Sequence, residues 1–125
     1  MSAANYTMKI CQGSDFLVTL TITDSDGNPV DLTDHTFRGE IRAYVSSPDV
    51  VANFSFTKLD QVTDTGKVQI KLSGADSSAI TVPDQKSIER SEINYSYDIE
   101  SETVSGEEKR WLQGIVALSP EVTRE

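Results

Sequence analysis

The sequence predicts an all-β fold, an Ig-like antiparallel β-sandwich of about seven to eight short strands with one short helical turn. Three observations predict it. Apolar residues recur with period two through most of the chain. Turn chemistry interrupts them about every ten residues. One stretch alone, Ser73 to Ile80, has a helix-like composition, and it is too short for a stable free helix.

The elements follow in order. Tyr6, Met8 and Ile10 share one parity within Met1–Cys11, which predicts an edge strand for this chain's own sheet or a neighbour's. Phe16, Val18, Leu20 and Ile22 alternate with Leu17, Thr19, Thr21 and Thr23, a half-buried strand. Asp24 to Pro29 is turn chemistry, because Gly27 accepts positive φ and Pro29 presets its own. Val30 and Leu32 then make a short return. From Thr36 to Val45, Phe37, Gly39, Ile41, Ala43 and Val45 face inward, while Arg38, Glu40, Arg42 and Tyr44 face water. Gly39 on the inward parity implies the close approach of a bulky neighbour, Trp111 or a tyrosine. Val50, Ala52, Phe54 and Phe56 form the next inward set, and Val68, Ile70 and Leu72 the one after the Asp64-Thr65-Gly66 turn.

Residues 73–80 are expected to form a single helical turn crossing between sheets. Residues 83–92, opening on Pro83, read as a polar loop. Ile93, Tyr95, Tyr97 and Ile99 alternate with Asn94, Ser96, Asp98 and Glu100. A hairpin over Ser105–Glu108 leads to the last strand, 109–118. There the row Leu112, Gly114, Val116, Leu118 is the longer aliphatic one and is assigned inward, which puts Trp111 and Ile115 outside. The chain then leaves the sheet at Pro120. The expected core is Phe16, Val18, Leu20, Phe37, Ile41, Phe54, Phe56, Val68, Ile70, Tyr97 and Leu112.

Composition bounds the rest. With 125 residues, the chain suits one domain over 1–125. Eleven Lys+Arg against 20 Asp+Glu give a net charge of −9, which argues against tracking nucleic-acid phosphates. No apolar run is long enough for membrane insertion, and the N-terminus lacks the pattern of a secretory signal. The one cysteine, Cys11, leaves no internal disulfide, no Cys cluster for zinc and no immunoglobulin Cys–Trp–Cys signature.

Catalytic chemistry finds little purchase. His35 is the single histidine and lies in a turn, so it reads as structural. Cys11 has no local His or Arg to activate it. Asp98, between inward residues, reads as part of a solvated strand face rather than half of a glycosidase pair. Asp24-Ser25-Asp26-Gly27-Asn28 resembles a calcium loop, but an EF-hand wants Gly at its sixth position and here Gly falls at the fourth. No metal and no cofactor are expected. A sugar-binding surface would use exposed aromatics, and parity offers Tyr6, Tyr44 and Trp111.

Several segments together resemble a known family. They are Gln12-Gly13-Ser14-Asp15-Phe16, Asp26-Gly27-Asn28-Pro29-Val30-Asp31-Leu32-Thr33 and Thr36-Phe37-Arg38-Gly39-Glu40-Ile41-Arg42. Further on come Gly66-Lys67-Val68-Gln69-Ile70-Lys71-Leu72-Ser73, Tyr95-Ser96-Tyr97-Asp98-Ile99-Glu100 and the run Leu112 to Arg124. In this order they resemble the small β-sandwich proteins of tailed bacteriophages and are similar to the N-terminal domain of baseplate upper proteins. The sequence departs from that pattern at Asp34, at the 83–92 loop and at Cys11. The resemblance implies a non-enzymatic virion structural protein, a tail, baseplate or fibre-attachment adaptor. Its partners would be other virion proteins and further copies of itself, assembled in the reducing cytoplasm of the host bacterium. The alternative is a carbohydrate-binding module contacting the host surface. Candidate interaction residues are Tyr6, Tyr44, Trp111 and Val122, the last being the apolar anchor of the tail.

Overall fold

The computed structural model describes residues 4–80 and 92–121. The expected loop at 83–92, except Glu92, and the candidate Val122 lie outside them. Among these residues nine strands and one short helix follow in order: β1 Ala4–Asn5, β2 Met8–Cys11, β3 Phe16–Thr21, β4 His35–Arg42, β5 Ala52–Asn53, β6 Ser55–Lys58, β7 Lys67–Leu72, α1 Gly74–Ser78, β8 Ile93–Thr103 and β9 Glu108–Ser119. No helix among the described residues is long and apolar enough to cross a membrane.

Two sheets face each other. The larger runs β1-β9-β8-β4-β5, with β2 continuing β1 alongside β9, and the smaller runs β3-β7-β6. The chain alternates between them: β1 and β2 in the larger, β3 in the smaller, β4 and β5 in the larger, β6 and β7 in the smaller, β8 and β9 in the larger. That two-sheet connectivity is the Ig-like sandwich expected from the period-two pattern. Its pairing is antiparallel with one exception. β1 and β2 run parallel to β9, with Met8 opposite Val116 and Ile10 opposite Leu118. The N-terminal segment therefore completes this chain's own sheet, and burial of Met8 and Ile10 on the inner face holds it there.

Period two builds the core as expected in β3, β7 and β8. Ile41, Phe54, Val68, Ile70, Tyr97 and Leu112 are buried, together with Met8, Ile10, Leu72, Ile99, Val116 and Leu118. Phe16, Val18, Leu20, Phe37 and Phe56 of the expected core are half-buried and pack along its margin. A second apolar patch, Ile22, Leu32 and Val68, closes one end of the sandwich. At the other end, Ser73 caps α1 by accepting the Asp76 N–H at 3.1 Å. The buried Ser77 hydroxyl accepts the Gly13 N–H at 2.9 Å, which ties this turn to the start of β3.

Three inward assignments differ from the sequence reading. β4 ends at Arg42, where its pairing with β8 ends opposite Ser96, so Ala43 and Val45 are exposed rather than inward. Val50 is also exposed, because the chain rejoins the sheet only at Val51, whose N–H donates to Ile41 O at 2.7 Å. The run from Ala52 to Lys58, which alternates like one strand, is split at Phe54. Ala52 and Asn53 pair with β4, whereas Ser55 to Lys58 pair with β7, so the chain changes sheets there. Gly39 does meet a close neighbour, though not Trp111 or a tyrosine. A Cβ at Gly39 would lie 2.6 Å from Ile99 Cδ1 and 3.0 Å from Phe56 Cζ.

Candidate functional site

Trp111 corrects the outward assignment most clearly. β8 and β9 pair in regular register up to Ile99 and Leu112, and beyond that Glu100 pairs with Arg110. Trp111 is the extra residue of this β-bulge, so the alternation slips and the indole turns to the inner side. Its Nε1–H donates to the Ser101 hydroxyl at 2.7 Å, and Ser101 is itself buried. The ring packs on the second apolar patch, and the Lys109 ammonium sits 4.3 Å from its centroid. Val30, His35, Ser101, Thr103, Lys109 and Trp111, with the carboxylates Glu107 and Glu108, line a shallow recess of about 300 Å³ here. His35 stacks on Phe37 at 6.3 Å, and its Nδ1 is buried with no hydrogen-bond partner among the described residues. Among the described residues no hydroxyl or thiol is hydrogen-bonded to its ring.

The structure does not bring the other aromatic candidates to Trp111. Tyr6 is exposed at the β1–β2 junction, where its carbonyl accepts the Tyr97 hydroxyl at 2.6 Å. Burial, with Tyr6 adding to it, pushes the Tyr97 phenol well above its ordinary range. Tyr44 is exposed past the end of β4, whereas the bulge lies opposite Arg38 and Gly39 in the middle of that strand. At about 3.3 Å per residue the two lie some 20 Å apart along the strands. The turn at Asp24 is likewise explained locally. Its Oδ1 accepts the N–H groups of Asp26 at 2.9 Å and Asn28 at 3.0 Å.

The outer face of the larger sheet is an ion-pair lattice. Arg38 meets Glu100 at 3.2 Å, Glu102 at 3.5 Å and Glu108 at 2.8 Å, and its hydrogen bonds to Glu108 and Glu100 hold its guanidinium above its ordinary value. Arg110 bridges Asp98 at 3.4 Å and Glu100 at 3.8 Å, while Arg42 bonds Glu40 at 2.9 Å. Partial burial raises the Asp98 carboxyl, Glu100 and Glu40 raise it further, and Arg110 and Arg42 oppose them. These acids are therefore engaged with arginines of the same face.

The smaller sheet presents a different surface, and sequence reading alone did not single it out. β3 lies at its edge and pairs only with β7. Ile22 N–H donates to Gly66 O at 2.7 Å, and Leu59 N–H to Lys67 O at 3.1 Å. Antiparallel partners alternate between bonded and non-bonded pairs, so Phe16, Val18 and Leu20 turn their backbone groups toward β7. Leu17, Thr19 and Thr21 turn theirs away, and among the described residues no strand pairs with that side. Leu17 is 57 % exposed, and Thr19 and Thr21 are exposed as well. β3, Phe-Leu-Val-Thr-Leu-Thr, has no charge, no proline and no bulge, the usual guards of an edge. The other edges are blunted. β5 has 2 residues, β1 and β2 are interrupted at Tyr6 and Thr7, and β6 carries Lys58. The charge-free run was visible in the sequence, but its position at a sheet edge depends on which strands pair.

No protein-family model matches the chain, and no curated protein matches it. Among the solved structures that the chain matches are two of low identity and low TM-score. One comes from work on multimeric cell-adhesive interactions of VGSC beta subunits, with 11 % identity, 98 % of each chain covered and a TM-score of 0.41. The other is a 2,6-sialyltransferase of Vibrionaceae Photobacterium sp. JT-ISH-224, with 11 % identity and a TM-score of 0.25. The likeness covers 95 % of this chain but 18 % of that enzyme. The assignment of the fold rests on strand order and register rather than on either likeness.

Proposed function

We propose that this chain is a non-enzymatic structural protein of a tailed-phage virion: a tail, baseplate or fibre-attachment component that works by docking to other virion proteins. The observation that carries the docking role is the edge β3. Leu17, Thr19 and Thr21 direct backbone donors and acceptors away from the sandwich, without a charge on the strand to repel a partner. The virion setting, with assembly in the host cytoplasm, comes from the resemblance of the segments quoted above to phage baseplate domains. A sugar-binding platform draws less support. Trp111 is half-buried beneath Lys109, and Tyr6 and Tyr44 stand apart from it.

A mass-spectrometric inventory of purified virions tests the reading. The chain is expected in stoichiometric amount alongside tail proteins. Its absence from particles, with normal expression in infected cells, would overturn the proposal.

A further inference from the structure

We infer that β3 pairs antiparallel with β3 of a second copy of this chain, about a two-fold axis through Thr19. This rests on the docking reading above and names the partner. Across such an axis Thr19 faces Thr19 of the second copy, and Leu17 faces its Thr21. Each outward N–H and C=O of the three residues then finds a backbone partner. On the inner side Val18 meets Leu20 of the other copy, which continues the apolar row across the junction.

Two features favour a second copy and this register. A chain of net charge −9 repels its own kind, yet β3 carries no charge. Beside it on the outer face lie Lys71 opposite Leu17, Gln69 opposite Thr19 and Lys67 opposite Thr21. No acid is brought against another acid within these rows. The register centred on Thr19 also pairs Leu17, Thr19 and Thr21 with one another and with nothing else. A slip of two residues would set Leu17 against Thr23, beyond the end of β3. A slip the other way would set Thr21 against Asp15, whose carboxylate already accepts the Gly74 N–H at 2.6 Å.

The test uses the full chain with its one exposed cysteine removed, Cys11→Ser. Thr19→Cys in that background should form a disulfide-linked dimer under mild oxidation, since facing Cα atoms of a bonded pair lie about 5.5 Å apart, within disulfide reach. Thr57→Cys, on the opposite edge strand, should remain unlinked. Light scattering should give the mass of two chains for the unmodified protein. Thr19→Pro, which removes one outward donor, should give the mass of one chain that still melts cooperatively, at a temperature that no longer depends on protein concentration. Thr19→Lys does the same by charge and serves if the proline perturbs folding. A single-chain mass at every concentration, with Thr19→Cys linking no more than Thr57→Cys, would overturn the inference. If Thr19→Pro were then also excluded from virions, edge docking to a different virion protein would stand. Normal incorporation of a single-chain protein and of Thr19→Pro alike would remove edge docking as well.

Discussion

The outer face of the larger sheet carries Arg38, Glu40 and Arg42 on β4, Asp98, Glu100 and Glu102 on β8, and Arg110 on β9, bound to one another in rows. The outer face of the smaller sheet carries Leu17, Thr19, Thr21, Lys67, Gln69, Lys71, Ser55 and Thr57, with no acidic side chain among them. Both faces are built from antiparallel strands, but most of the residues named on the first are half-buried by one another and most of those on the second are exposed. The first spends its charges on its own neighbours. Individual exposed pairs of this kind stabilise little, but together they give a stranger few free charges to engage. The second lacks such a lattice and ends in a strand whose backbone is half unanswered. The arginines and acids of the first face answer one another, whereas the second carries two lysines and no acid in its strands.

The largest expected effect lies where one strand serves both sheets. Phe54 is buried between β5 and β6 and meets Tyr97 edge-on at 5.9 Å. Phe54→Ala should cost about 3–5 kcal/mol in denaturant unfolding. A loss below about 1 kcal/mol would mean that the two faces are not coupled through this residue. Next is Gly114, at φ +148, where a Cβ would lie 2.5 Å from the Tyr6 carbonyl oxygen. Gly114→Ala should destabilise by about 1–3 kcal/mol. Hydrogen exchange should accelerate in β1 and β2 while β3 and β7 keep their protection. Equal acceleration in both sheets would contradict the separation drawn here.

Trp111→Phe leaves the buried Ser101 hydroxyl without its indole donor, for an expected loss of about 1–3 kcal/mol. No loss would place the indole in water, as the sequence parity had it. The smallest effect concerns Asp98. A carboxyl whose folded pKa is raised above 3.8 keeps its proton longer folded than unfolded. Its unfavourable contribution is therefore absent at low pH, grows as pH rises from about 4 through the folded value, and persists at neutrality. Asp98→Asn should stabilise the protein at pH 7 by about a few tenths of a kcal/mol, since the side chain is still open to solvent. That gain should vanish below about pH 4. A loss at pH 7 would show that the pairs with Arg110 and Arg42 outweigh the burial.

Strand alternation made the fold class and most inward rows legible, because a one-residue error would turn a whole apolar set into water. The failures share a physical cause. Trp111 is misplaced because a bulge adds one residue without altering the apparent alternation on either side. Ala43 and Val45 are misplaced because apolar alternation runs on past the last paired residue. The division at Phe54 is invisible because both sheets bury the same parity. The parallel placement of β1 and β2 depends on Met8 and Ile10, too few residues to show direction. The β3 edge was half legible: its lack of charge is in the sequence, but its position at an edge is decided by β7 pairing with one side of it while no described strand pairs with the other.

Because β2 runs in the same direction as β9, the two elements respond to load differently from a hairpin. A pull that draws Ala4 and Ser119 apart along the strand axis would not peel the β2–β9 ladder one bond at a time. It would stress the rungs from Met8 opposite Val116 to Cys11 opposite Ser119 together, in shear, while dragging Met8 and Ile10 out of the apolar interior. The flanking strand would then act as a mechanical clasp on the larger sheet, with resistance set by the simultaneous rupture of those rungs rather than by the weakest of them.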